Sequence, residues 1–104
     1  MALKKSTRIQ SRKIREAARG EDCTFRIPGV CNGNPETTVL AHLPDESHGM
    51  ARKSDDISAA FACSACHDAI DRRHLVESFP REWYMRRAMI RTWRRLIEKG
   101  VIRV

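Results

Sequence analysis

The sequence predicts a small α+β domain, stapled by a metal ion and flanked by a helix at each end. Three observations predict it. Segments 37–43 and 57–62 are short, apolar and partly β-branched, as strands are. Segments 11–19 and 80–100 carry helical spacing and helix stop signals. Four cysteines stand in two pairs, each at a turn. The chain has 104 residues, enough for one domain, and only 6% are aromatic, so its core is thin and a staple is expected.

Taken in order, residues 1–10 are short, polar and basic and read as a disordered arm. Residues 11–19 are good helix formers, with Ile14, Ala17 and Ala18 as a narrow apolar face and Gly20 as the stop. Residues 23–36 form a turn-rich loop around Pro28-Gly29 and Asn32-Gly33-Asn34-Pro35. In the strand 37–43, alternation places Val39, Ala41 and Leu43 on one face, with Leu40 and His42 on the other. Residues 44–56 read as a polar loop and 57–62 as a second strand. A helix is expected from about Cys66 to Val76, with His67, Asp71 and His74 sharing one face. The last helix starts with Pro80 as its first residue and stops at Gly100. Its core stripe is expected at Met85, Met89, Trp93 and Leu96, widened by Ile90 and Ile97, with Arg87, Arg91, Arg94 and Arg95 largely off that stripe. The organisation expected is a basic arm and short helix over 1–20, a metal-bound core over 21–78, and an amphipathic basic helix over 79–104, all in one domain.

The formal charge is +7, and its distribution says more than its sum. Residues 1–19 and 72–104 carry net +6 and +7, whereas 20–71 carry net −6. Basic arms suit a phosphate backbone, and an acidic centre suits a divalent cation. DNA is therefore the expected partner, with Arg87, Arg91, Arg94 and Arg95 as its expected contacts. The first residues show no apolar core of a secretory signal, and no stretch approaches the roughly 18 apolar residues of a membrane span. A soluble, cytoplasmic protein without a membrane partner is the expectation.

Reducing compartments disfavour disulfides, so paired cysteines there more often bind metal. Cys23-x7-Cys31 and Cys63-x2-Cys66 can close a tetrahedral four-thiolate Zn²⁺ site. Such a closed site leaves no position for substrate and would be structural. Two disulfides, or a mixed site in which a histidine replaces one thiolate, remain the alternatives.

A strand histidine, a loop, and then Cys-x-x-Cys-His resembles the HNH branch of the ββα-metal nucleases. Residues 26–42, Arg-Ile-Pro-Gly-Val-Cys-Asn-Gly-Asn-Pro-Glu-Thr-Thr-Val-Leu-Ala-His, narrow the resemblance, as do residues 62–73, Ala-Cys-Ser-Ala-Cys-His-Asp-Ala-Ile-Asp-Arg-Arg. Both segments resemble the YbcO-like family of phage and prophage nucleases, related to the RecA-dependent Ref nuclease. The resemblance implies that His42 is the general base, that His67 is a ligand of a catalytic Mg²⁺ or Mn²⁺, and that Asp71 is a second ligand. Asp56 falls near the middle position of the motif and would orient His42. Ala41 stands where many HNH enzymes carry a metal-binding acid or histidine, so Asp71, Asp45, Glu46 or His48 would have to complete the site. His48 and His74 otherwise read as surface residues. The implied activity is phosphodiester hydrolysis in DNA by a phage- or prophage-encoded endonuclease, with a recombinase–DNA filament as a further partner. A non-catalytic zinc-stapled DNA-binding or recombination adaptor is the alternative; only the enzyme needs both His42 and His67.

Overall fold

The computed structural model describes residues 8–44, 54–71 and 80–104. Five elements follow in order: α1 (Arg12–Ala17), β1 (Val39–His42), β2 (Ala59–Ala62), α2 (Ser64–Asp71) and α3 (Arg81–Glu98). A single turn of 3-10 helix at Pro35–Thr37 leads into β1. The expected continuation of α2 to Val76, with His74, lies outside the described residues, as do Asp45, Glu46 and His48.

Strands β1 and β2 pair antiparallel, with Val39 opposite Ala62, Leu40 opposite Phe61, Ala41 opposite Ala60 and His42 opposite Ala59. This two-stranded ribbon has a helix layer on each face. On one face Ala41, Leu43, Ala60 and Ala62 join Phe25, Ile27, Ile70, Met85 and Ala88. On the other, Phe61 packs with Ile14, Ala17 and Ala18 of the α1 segment and Leu96 of α3. As the alternation predicts, Ala41 and Leu43 are buried. Val39, expected beside them, is 44% exposed and borders the cleft that His42 lines.

The helix ends follow local chemistry. The Ser11 side chain accepts from the Ile14 amide and caps α1. Pro80 is the N-cap of α3 rather than its first residue, and its carbonyl accepts from Tyr84 at 3.1 Å. At the other end Gly100 adopts φ +73°, where side chains are strained. This lets the Val101 amide reach the Leu96 carbonyl at 2.9 Å and the Gly100 amide reach Ile97 at 3.0 Å, a Schellman closure.

Two expectations are corrected. The buried stripe of α3 is Met85, Ala88, Thr92 and Leu96; the expected Met85 and Leu96 belong to it and Met89 packs partly buried at its side, but Trp93 does not belong. Ala60 and Ala62 of β2 pack in the same core cluster as Met85 and Ala88 of α3. Trp93 is turned outward, 39% exposed, with its indole N–H donating to the Ile57 carbonyl at 3.0 Å. Ile90 and Ile97 are exposed as well. Thr92 instead closes the free edge of β2. Its hydroxyl oxygen accepts from the Phe61 amide at 3.0 Å and lies 3.1 Å from the Thr24 hydroxyl, which donates to the Phe61 carbonyl at 2.8 Å.

The second correction concerns the arm. Residues 8–10 are not free: the Ile9 amide donates to Asp55 Oδ1 at 2.8 Å, and the Ile9 carbonyl accepts from the Asp56 amide at 2.9 Å. Backbone pairing of this kind pins a polar segment that sequence composition alone reads as solvated.

Candidate metal centre and histidine cleft

The Pro28-Gly29 turn closes with the Val30 and Cys31 amides both donating to the Ile27 carbonyl, at 3.0 and 2.9 Å. It folds Cys31 back toward Cys23. Cys63 directly follows β2 and Cys66 lies in the first turn of α2, with the Cys66 amide 3.3 Å from Cys63 Sγ. The four sulfurs lie within 4.8 Å of one another, and all four cysteines are free thiols, which removes the two-disulfide alternative. The Cys63 and Cys31 sulfurs are 3.9 Å apart. A tetrahedron with Zn–S bonds near 2.3 Å requires sulfurs separated by about 3.8 Å. The donor set and its dimensions therefore fit zinc, with no histidine in the cluster among the described residues.

The thiols differ in their readiness to ionise. Burial pushes Cys63 up, but the Asn32 and Cys66 amides donate to its sulfur and bring it down to about 7. Burial pushes Cys66 and Cys31 up, and neighbouring thiols add to the rise. Outside this cluster Asn32 donates to Ser64 Oγ and Thr37 Oγ1, at 3.1 and 3.2 Å, and ties the cysteine loop to the start of α2.

On the opposite face of the ribbon from the thiol cluster, His42 projects beside Leu40. Its Nε2 lies 2.7 Å from Asp56 Oδ1. The Asp56 side chain is fully buried and accepts the Ser11 amide at 2.6 Å on Oδ2. Arg8 Nη2 stands 3.4 Å from Asp56 Oδ1, Arg15 Nη1 is 3.9 Å from Oδ2, and Arg8 Nε donates to the Ser54 carbonyl at 3.1 Å. Burial alone would raise Asp56; the His42 hydrogen bond, the Ser11 amide and the charges of His42 and Arg15 outweigh it and hold the carboxyl below the ordinary aspartate value. An ionised carboxylate only accepts, so Nε2 donates in the short contact; whenever the ring is neutral, its lone pair is therefore on Nδ1. Arg8, 3.2 Å from the same Nε2, then serves the carboxylate rather than the ring.

His67 follows Cys66 directly, yet its side chain turns away from the sulfurs. Its Nε2 is 3.3 Å from Asp71 Oδ2, one turn along α2. His42, His67 and Asp71 line one open cleft of about 580 Å³, which Arg15 and Arg19 also border. The sequence-derived candidates Asp56, His42, His67 and Asp71 are thus brought to one side of the ribbon. The imidazole of His67 and the carboxylate of Asp71, one turn apart, thus face the same cleft as His42. Ala41 is buried against Ala60, so its position offers no room for a ligand.

The candidate DNA contacts have diverse surroundings. Arg95 pairs with Glu21 at 2.9 Å and with Glu98 at 3.5 Å, and Lys99 also holds Glu21 at 2.9 Å. Arg87 packs its guanidinium 4.5 Å from the centre of the Trp83 ring. Arg87 and Arg91 donate to backbone carbonyls of residues 25 and 24. Sequence reasoning missed Arg8, Ser11 and Arg15 around Asp56. No local signal pairs an arm residue with a loop more than forty positions later.

A four-thiol cluster that could hold a metal ion and a two-histidine cleft, set on β1, β2 and α2, define a small α+β protein. The family model described as "Putative nuclease YbcO" matches residues 12–101, so the chain belongs to that family. It is 49% identical over 92 residues to "Putative nuclease YbcO" of Escherichia coli (strain K12) and equally to "Putative nuclease ybcO" of Enterobacteria phage 82, in each case covering 86% of this chain and 96% of the relative. A solved structure, "Structure of a putative bacteriophage protein from Escherichia coli str. K-12 substr. MG1655", superposes with a TM-score of 0.67 at 48% identity, covering 85% of this chain and all of that one. Among the described residues no helix is long and apolar enough to cross a membrane.

Proposed function

We propose that the protein is a metal-dependent HNH-type endonuclease that hydrolyses DNA phosphodiester bonds, encoded by a phage or prophage and acting in the host cytoplasm. The observation that carries this reading is that His42 and His67 line the same open cleft. The β1–β2–α2 order and the family name support it.

In this reading Nδ1 of His42 accepts the proton of the attacking water. Asp56 holds the ring by Nε2 and balances the positive charge that the ring gains. Arg8 and the Ser11 amide fix Asp56 in turn. His67 and Asp71 hold the catalytic ion, which when bound supplies Lewis acidity to the phosphate and stabilises the leaving oxygen. Arg15 and Arg19 border the cleft and attract the strand. Cys23, Cys31, Cys63 and Cys66 hold a structural Zn²⁺ that sets α2 against the ribbon, and so sets His67 relative to His42.

A plasmid-nicking assay tests the reading. Wild-type protein with Mg²⁺ or Mn²⁺ converts supercoiled DNA to the nicked form, and His42→Ala does not. No nicking by the zinc-loaded wild type with either ion leaves the adaptor reading, a zinc-stapled DNA-binding protein that works on DNA or a recombinase–DNA filament without cutting.

A further inference from the structure

Three arginines on the far side of β2 share an unusual arrangement. Arg26 Nε donates to the Cys23 carbonyl at 3.2 Å, Arg91 Nη1 to the Thr24 carbonyl at 3.1 Å, and Arg87 Nη2 to the Phe25 carbonyl at 2.6 Å. Three consecutive carbonyls thus gather three guanidiniums from two separate elements. Carbonyl oxygens orient a guanidinium but do not neutralise it. Among the described residues none of the three is ion-paired; the nearby carboxylates Glu21 and Glu98 are engaged by Arg95 and Lys99. Arg87 Nε is buried without a hydrogen-bond partner. Arg26 holds φ +46°, a left-handed conformation unfavourable for its residue type.

The guanidiniums feel one another. Burial, and next the charges of Arg87 and Arg26, hold Arg91 below the ordinary arginine value. Arg26 and Arg91 also line a hollow of about 350 Å³ with Thr24 and Arg94. Glu21, Asp22 and Glu98 border it too, but Glu21 is held by Arg95 and Lys99 and Glu98 by Arg95, so among the described residues Asp22 alone faces Arg26 and Arg91 without an ion pair; Arg87 lies outside the hollow. The hollow shares no lining residue with the His42 cleft. Clustered cations that are geometrically fixed yet lack a counter-ion attract an anion, and bidentate guanidiniums match phosphate oxygens.

We propose that Arg26, Arg87 and Arg91 form a preorganised site for backbone phosphates of nucleic acid, separate from the cleft and grasping the strand away from the point of cutting. This deepens the proposed function, since it rests on nucleic acid being the substrate. It also links the site to the thiol cluster: Cys23 supplies a thiol to the cluster and its carbonyl to Arg26, so a metal bound there would order both.

The test measures binding without chemistry, by fluorescence anisotropy of a short fluorescein-labelled duplex with zinc-loaded protein and no added Mg²⁺ or Mn²⁺. The variants are Arg26→Asn, Arg87→Gln and Arg91→Gln. Asparagine tolerates the left-handed backbone and Arg26 is exposed, so Arg26→Asn keeps the thermal midpoint of wild type and remains informative if the other two lose stability. Each variant is expected to weaken binding several-fold and to reduce the log–log salt slope by about one. Wild-type affinity and slope in Arg26→Asn and in any folded variant of Arg87 or Arg91 overturn the proposal. A second arm titrates wild type with inorganic phosphate at matched ionic strength, read by tryptophan fluorescence, because Trp83 packs on Arg87. Saturable phosphate binding alongside unchanged duplex binding in the variants assigns the site to a free anion and overturns the nucleic-acid assignment. The two readings fail separately: nicking with arginine-independent binding sinks only the site, whereas arginine-dependent binding by a protein that cuts nothing sinks only the nuclease.

Discussion

His42 Nε2 and Asp56 Oδ1 stand 2.7 Å apart although fourteen residues separate them in the chain. β1 delivers the histidine and the loop before β2 delivers the aspartate. The contact is held from behind by Ser11 and Arg8, so a short segment before α1 reaches the edge of the cleft. The pair determines which ring nitrogen remains basic.

Replacing Asp56 by Asn removes the charge and keeps the shape. Nicking is expected to fall by roughly 10²-fold, the low end of the effect of losing a base outright. The loss should appear in kcat with KM unchanged, since Asp56 touches the base and not the DNA. Loss of charged hydrogen bonds should cost roughly 2 kcal/mol of stability. Equal kcat for Asp56→Asn and wild type would show that the contact is structural only.

The same carboxylate predicts an acid limit. Its folded value lies below its unfolded one, so its contribution is fully present above the ordinary aspartate value of about 4. It is lost as pH falls further, through the folded value. Thermal midpoints of wild type should therefore drop below pH 4 more steeply than those of Asp56→Asn. Parallel curves would contradict this.

His42→Ala and His67→Ala should fail differently. The first removes the base and leaves ion affinity unchanged. The second weakens the ion, so excess Mg²⁺ or Mn²⁺ should restore part of its nicking. Neither should release zinc, because neither histidine belongs to the sulfur cluster. Metal titrations of nicking, with zinc content measured on the same samples, check all three statements. Zinc loss in His67→Ala would merge the two metal sites into one.

Zinc removal should unfold the chain. Structural zinc in small modules contributes on the order of 10 kcal/mol, more than a thin core can replace. Cys63→Ser or a strong chelator should abolish the cooperative thermal transition, with readdition of zinc restoring it after chelation. A transition unchanged by chelation, with zinc shown to be absent, contradicts the assignment.

Thr92→Val probes the buried edge of β2. Valine matches the shape but leaves the Phe61 amide without its acceptor, at a cost of about 1–3 kcal/mol. A denaturant midpoint equal to wild type would show that the edge is satisfied in another way.

Much of this architecture is legible in the sequence. Four cysteines at turns, His42 opposite Ala41 on a strand, and Gly100 ending α3 all follow from local spacing. Thr92 does not, because helical periodicity ranks threonine below tryptophan as a core residue, and only contact with a bare strand edge reverses that order. Arg8 escaped for a related reason. Its role depends on backbone pairing between distant segments, which carries no compositional mark. The arginines of α3 read correctly as basic, but their gathering on the carbonyls of residues 23–25 is a tertiary fact.

The sheet itself has an evolutionary consequence. Ala59, Ala60 and Ala62 are buried, as is the partner Ala41. Most cores drift by trading Val, Ile, Leu and Met of similar volume. At these four buried positions there is little volume to trade, since a larger side chain must displace the groups packed around it. A saturation library of this chain should therefore show its sharpest intolerance at its smallest residues, with Val39 and Ile57, though larger and more apolar, accepting almost anything.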